Sequence, residues 1–143
     1  MARRLSTFEI EEQPMNAAPQ TLTCLLVDDS STIRTIVRPM LTNLGCRVSE
    51  AADGQQALDA CMKEMPVAVL LDWNMPVMNG LDFLKALRAS PGGDAPIVIF
   101  CTTESDISRI SAAIEAGANE YIMKPFDQDI LRSKFLQVGL IGE

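Results

Sequence analysis

Histidine is missing from the 143-residue sequence, and that absence excludes more than any composition figure. Without it there is no Ser-His-Asp or Cys-His nucleophile, no His-ligated zinc and no internal phosphohistidine. Cysteine is sparse and scattered. Cys24, Cys46, Cys61 and Cys101 form no CxxC pair, which suits free thiols in a reducing cytoplasm better than a disulfide framework. No apolar run approaches the roughly 18 residues of a spanning helix. The basic start "MARRLSTFEIEEQ" has no apolar stretch behind it, so neither membrane insertion nor a secretory signal is expected. Positive charge is also short: 12 Lys and Arg against 19 Asp and Glu leave a formal net charge of −7. That balance argues against nucleic acid or an anionic membrane as the default partner. The chemistry left to this chain runs on carboxylates, hydroxyls and lysine.

What is present is ordinary for a globular domain: 48% hydrophobic and 22% charged residues, in a chain long enough for one full core. Residues 1–20, with Pro14, Pro19 and "MNAAPQ", read as a flexible polar tail. Met15 is an alternative start. Residues 21–143 then read as one domain in which strands and helices alternate. "TLTCLLV", "CRVSEA", "PVAVLLD", "APIVIFC" and "NEYIM" have the β-rich, short, apolar character of buried strands. Between them run five helical patterns. The first has Ser31 as its N-cap, carries Ile33, Ile36, Val37, Met40, Leu41 and Leu44 at helical spacing, and closes at Gly45. Pro39 falls inside it and predicts a kink. "ADGQQALDACMKEM" turns Ala57, Leu58 and Cys61 inward; "GLDFLKALRAS" is broken by "PGGD". "ESDISRISAAIEAG" turns Ile107, Ile110 and Ile114 inward and ends at Gly117, and "DQDILRSKFLQVG" closes the chain. Five strands alternating with five helices predict an α/β fold: a doubly wound, three-layer parallel sheet with helices on both faces. Strand order is not readable from periodicity.

In such a sheet, ligands bind beyond the carboxyl ends of the strands. The first strand ends at Asp28-Asp29, the third at Asp72 followed by "WNMP", the fourth at Thr102-Thr103 and the fifth at Lys124-Pro125. Each of these alone reads as a cap or turn residue. Together they bring carboxylates, a hydroxyl and an ammonium to one edge. Clustered carboxylates repel unless a cation sits among them, and hard oxygen ligands with room for water suit Mg²⁺. An aspartate attacking a phosphoryl group, with Lys124 and the metal neutralising the equatorial oxygens, is the chemistry this set supports.

"LLVDDSSTIRTIVRPML", "LLDWNMPVMNGLDFLKALR", "IVIFCTTE" and "GANEYIMKPF" stand in order, and over about residues 22–138 the chain resembles the response-regulator receiver domain. The resemblance implies a flavodoxin-like sheet in which Asp72 accepts a phosphoryl group from a histidine kinase's phosphohistidine. It implies that Asp28, Asp29, Asp72 and the backbone carbonyl of Asn74 serve Mg²⁺, Asp28 through water. Thr102 would bond the phosphoryl group, Lys124 would pair with it through a cis bond to Pro125, and Thr102 and Tyr121 would form the switch. Such a protein is a phosphoacceptor signalling protein rather than an enzyme on other substrates. Its expected location is the cytoplasm, as a monomer or a weak dimer on phosphorylation, with no DNA-binding output domain. "DDSSTIRTIVR", "DWNMP" and Tyr121 favour the chemotaxis branch, whose output partner is the flagellar motor switch. The alternative within the family is a phosphorelay or cell-cycle receiver that exchanges phosphate with a histidine phosphotransfer protein or regulates a kinase by binding.

Three positions depart from the family pattern. Asn79 replaces a frequent Asp, Thr103 stands where a small residue is usual, and Pro39 is uncommon. Little consequence is expected of Asn79, narrowed access to the phosphoryl group of Thr103, and an altered secondary contact of Pro39. Two readings from other classes are weaker. A Mg²⁺-dependent phosphate-ester hydrolase typically needs a second carboxylate two residues after the nucleophile, and that position is Asn74. An unphosphorylated adaptor would have lost its acids, and Asp28, Asp29 and Asp72 are all present. Trp73, the only tryptophan, is expected as a partly exposed lid beside Asp72, and Cys101 as a buried strand residue rather than a redox sensor.

Overall fold

The computed structural model describes residues 22–142; the tail expected over residues 1–20 lies outside them. The elements are β1 (Leu22–Val27), α1 (Ser31–Asn43), β2 (Cys46–Ala51), α2 (Gly54–Lys63), β3 (Ala68–Asp72) and α3 (Gly80–Arg88). They continue with β4 (Ile97–Thr102), a 3-10 stretch over Glu104–Arg109, α4 (Ile110–Glu115), β5 (Glu120–Met123) and α5 (Gln128–Gln137). The strands form one parallel sheet in the order β2-β1-β3-β4-β5.

The side-chain period of two divides the core. Leu25 and Val27, Val69 and Leu71, Val98 and Phe100 face α2, α3 and α4, where Ala57, Cys61, Phe83, Leu84, Leu87 and Ala113 meet them. Cys24 and Leu26, Leu70, Ile99 and Ile122 face α1 and α5, against Val37, Leu41, Leu131 and Phe135. Because both faces are covered, β1, β3 and β4 are apolar almost throughout. The layers and winding are as expected. The order places β1 and β3 side by side at the point where the winding reverses, so their carboxyl ends open on one crevice. All four cysteines are free and buried, and burial pushes the Cys101 thiol up to about 12. A thiol held protonated at neutral pH is inert.

Three local expectations need correction. The N-cap of α1 is Ser30, whose hydroxyl accepts from the Ile33 amide, rather than Ser31. The helix continues through Pro39, as expected, over 13 residues. Pro39 and Thr35 are both exposed, so water can satisfy the Thr35 carbonyl that Pro39 cannot serve. Ile36, placed on the inward stripe, is 53% exposed. Most consequentially, the fourth helical region is not one helix: a 3-10 stretch with a non-helical Asp106 precedes a six-residue α4. Three residues per turn rather than 3.6 rotate the apolar stripe. Ile107 and Ile114 therefore face solvent and Ala113 takes the core position. Gly117 follows that helix at φ 111°, where a side chain is strained and would also meet Arg88.

Candidate functional site

β1, β3 and β5 each end where a short turn feeds a helix with a side-chain N-cap, Ser30, Asn79 and Asp127 in turn, whereas the 3-10 stretch after β4 has none. After β1, Asp28 is buried and its Oδ1 accepts from the Ser30 amide at 2.9 Å. The Arg34 guanidinium donates to the Asp28 carbonyl at 2.6 Å and to Glu50 at 2.8 Å, tying the turn to α1 and β2. Glu50 also pairs with Arg38, whose hydrogen bond, with that of Arg34, holds its carboxyl below the usual range.

After β3 the chain must turn from Asp72 into α3 within seven residues. The Gly80 amide donates back to the Trp73 carbonyl at 2.9 Å, and the Met78 carbonyl accepts from the Gly54 amide of α2. Val77 lies at φ 68° with the Met78 amide bonded to the Pro76 carbonyl, a strained γ-turn on an exposed β-branched residue. Asn79 caps α3 by accepting from the Asp82 amide, a role that an acid would fill equally well. After β5, the Lys124–Pro125 bond is cis, as expected.

These turns converge. Carboxylate oxygens of Asp28, Asp29 and Asp72 lie within 4.8 Å of one another. Lys124 Nζ donates to Asp72 Oδ1 at 3.0 Å and lies 3.6 Å from Asp28 Oδ2. Burial raises the Asp72 carboxyl; Lys124 opposes that rise and the Asp28 charge adds to it. Burial alone would lower Lys124, but the attraction of Asp72 and Asp28 outweighs it and the ammonium is raised. One ammonium among three carboxylates leaves a surplus of negative charge. A hard divalent cation fits these donors, and a zinc-type site does not, because the only ligands are oxygens.

Lys124 is thus the charge that lets the carboxylates sit together. Lys124→Met is expected to destabilise the metal-free protein by about 2 kcal/mol, between the small value of a surface pair and that of a fully buried one. The loss should be largest at neutral pH. Asp72 has a raised folded pKa, so its repulsion is relieved as pH falls through that value toward the unfolded value of about 3.9. Urea melts at two pH values, with Asp72→Asn added as a second-site suppressor, check this.

Thr102 is buried at the end of β4; its hydroxyl donates to the Thr103 carbonyl at 3.3 Å, and the Thr102 carbonyl accepts from the Lys124 amide at 2.6 Å. The Thr103 hydroxyl is occupied with Ser105 and Asp106 on the 3-10 stretch. Tyr121 is half-buried on β5 with the Lys134 ammonium 4.7 Å over its ring. Trp73 is half-buried, as expected, and its ring lies 5.2 Å from that of Phe100. The Asn74 side chain is exposed and accepts from Arg109 at 3.0 Å. Arg34 and Arg109 did not stand out in the sequence: an arginine in a polar stretch carries no local signal of which carbonyl or ring it reaches.

A parallel sheet in the order β2-β1-β3-β4-β5, with acids and a lysine gathered at its carboxyl edge, defines a flavodoxin-like α/β protein. Within that class, the chain belongs to the response regulator receiver domain family, whose model matches residues 24–136. It is 44% identical over 116 residues to a chemotaxis protein CheY homolog of Campylobacter jejuni, covering 80% of this chain and 89% of that one. Its fold is similar to that of the Vibrio cholerae chemotaxis protein CheY4, with TM-score 0.77 and 33% identity, covering 83% and 99% of the two chains. It also resembles the receiver domain of a Pseudomonas aeruginosa sensor histidine kinase, solved with magnesium in its active-site cleft. That match has TM-score 0.75 and 30% identity over 82% and 97% of the chains. Among the described residues, no helix is long and apolar enough to cross a membrane.

Proposed function

We propose that this receiver takes a phosphoryl group on Asp72 from a histidine kinase and signals by binding a protein partner in the phosphorylated state. The observation that carries the reading is the contact of Lys124 with Asp72, inside a cluster of three carboxylates. An Asp72 oxygen attacks the donor phosphorus, an acyl-phosphate bond forms, and the donor's P–N bond breaks with its electron pair leaving on the imidazole. Asp28, Asp29, Asp72 and the Asn74 carbonyl would hold Mg²⁺, which supplies charge neutralisation to the transferring phosphoryl oxygens. Lys124 neutralises a further oxygen and Thr102 donates its hydroxyl to another. Thr102 and Tyr121 then bias the surface formed by α4, β5 and α5, where Ile107 and Ile114 are exposed.

The similarity to chemotaxis proteins along most of their length supports flagellar motor control as the output. A phosphorelay role is the second reading. It is favoured by the kinase-receiver relative and by an apolar groove of about 400 Å³ beside Lys124, lined by Ile33, Ile36, Met40, Thr103 and Phe126. A cytoplasmic location and a monomer that dimerises weakly when phosphorylated belong to the same reading, as does a domain that begins at residue 21.

Trp73 provides the test. Its fluorescence should change on adding Mg²⁺, change further with acetyl phosphate, and lose the second response in Asp72→Asn. A wild-type protein that takes phosphate from neither acetyl phosphate nor a kinase overturns the reading. Capture of a motor switch protein rather than a phosphotransfer protein by the phosphorylated form decides between the outputs.

A further inference from the structure

Arg109, the last residue of the 3-10 stretch, reaches across to the loop that follows the phosphoacceptor. Its Nη1 donates to Asn74 Oδ1 at 3.0 Å, and its guanidinium lies 4.8 Å over the Trp73 ring. On its other side it pairs with Asp106 at 3.8 Å, and Asp106 in turn accepts from the Thr103 hydroxyl at 3.2 Å. One side chain thus joins the β3–α3 loop to the segment that begins next to Thr102.

Beneath this bridge lies a small cavity walled by Trp73, Phe100, Thr102, Arg109, Ile110 and Tyr121. Its interior of about 10 Å³ holds roughly one water. Tyr121 forms one wall of this cavity and Arg109 and Ile110 form another, so the room the ring has to turn inward is set by how closely that second wall is held against Trp73. A network that exists in only one of two arrangements biases the equilibrium toward that arrangement.

We infer that Arg109 is a positioning residue: by bridging Trp73 and Asn74 it latches the β4–α4 segment against the phosphoacceptor loop and keeps the Tyr121 cavity closed. This deepens the proposed switch and rests on that reading for its link to phosphorylation. The latch itself is a property of the metal-free, unphosphorylated protein. Releasing it raises the ratio of inward to outward Tyr121 roughly fivefold, the size expected for losing one exposed cation–π contact and one hydrogen bond.

Tyr121 is the only tyrosine in the chain, so 3-fluorotyrosine incorporation yields one ¹⁹F signal that reports this ring. The experiment measures its relaxation by a soluble gadolinium chelate in full-length wild type, Arg109→Ala, Arg109→Lys and Asn74→Ala, without metal or phosphodonor. Ring exposure should fall most in Arg109→Ala. In Arg109→Lys it should fall less, because lysine keeps the charge over Trp73 and loses the planar fork. Asn74→Ala should fall in the same direction, and it cuts the same bond from the other end should Arg109→Ala fold poorly. In the presence of Mg²⁺, acetyl phosphate should then drive Arg109→Ala at a severalfold lower concentration than wild type. Unchanged ring exposure in both Arg109→Ala and Asn74→Ala overturns the latch, even if Arg109→Ala melts at lower temperature. If wild type ignores acetyl phosphate, the phosphoacceptor reading is what fails, and the ¹⁹F comparison still decides the latch.

Discussion

Asp72→Asn should abolish stable labelling by a phosphodonor and, in the same preparation without metal, should melt at a higher temperature than wild type. Both effects come from one carboxylate. The side chain is largely buried at the end of β3, beside Asp28, and burial together with that neighbour raises its carboxyl despite the Lys124 ammonium. An acid whose folded pKa exceeds its unfolded value costs stability at every pH above the folded value. It stops doing so as pH falls through that value toward about 3.9. Asparagine removes the charge at neutral pH and keeps an oxygen for Lys124 to bond. A gain of about 1 kcal/mol, or roughly 3–5 °C for a domain of this size, is the expected scale. The loss of labelling is expected because, among the described residues, Asp72 is the carboxylate that Lys124 hydrogen-bonds, at 3.0 Å. Asp28 lies 3.6 Å from that ammonium but is buried with its Oδ1 engaged by the Ser30 amide. Calorimetry and phosphorus labelling on one sample check both halves. Lower stability with lost labelling would mean that the substitution damaged the fold; retained labelling would move the acceptor elsewhere.

The opposed signs are the ordinary consequence of building a site on charges that the fold would rather not bury. Asp28, Asp29, Asp72 and Lys124 could be found in the sequence because each ends a strand, and the ends of parallel strands meet by topology alone. The sheet and its two helical layers were readable for a related reason: β1, β3 and β4 are covered on both faces, which forces nearly unbroken apolar runs. What local pattern could not supply is whatever depends on winding or on reach. Ile107 and Ile114 are spaced for an α-helix, and only the 3-10 stretch that holds Ile107 and precedes α4 sends both to solvent. Ser30 and Ser31 are equivalent as caps until the backbone selects the first. Arg34 and Arg109 act over distances that no spacing encodes. Their partners are a backbone carbonyl, an amide and a ring from other elements.

Gly80 extends that point, and it carries the second large expected effect. As the first residue of α3 it has no positive φ, so helix propensity alone says that Gly80→Ala should stabilise by up to about 1 kcal/mol. The surroundings say the reverse. A Cβ built there would lie 2.1 Å from the backbone oxygen of Asp72 and 3.1 Å from the Phe100 ring. The first neighbour is main chain at the end of a central strand. It can yield only by shifting Asp72, the proposed phosphoacceptor, or by breaking the Gly80–Trp73 bond that closes the turn. Overpacking of this kind costs on the order of 1–3 kcal/mol, which outweighs the propensity gain. A net destabilisation of about 1 kcal/mol is therefore expected. The larger consequence falls on function, because displacement of a reacting oxygen by about 1 Å is worth roughly a hundredfold in rate. Gly80→Ala should slow acceptance from acetyl phosphate by at least about tenfold at saturating Mg²⁺ while leaving a folded protein. Gly142→Ala, which meets nothing within 4 Å, should leave stability and rate as they are. Chemical denaturation and a labelling time course measure the two quantities. A Gly80→Ala protein that is more stable than wild type and accepts phosphate at the same rate would mean that the loop relaxes freely, and Asp72 would then not owe its position to the tightness of this turn.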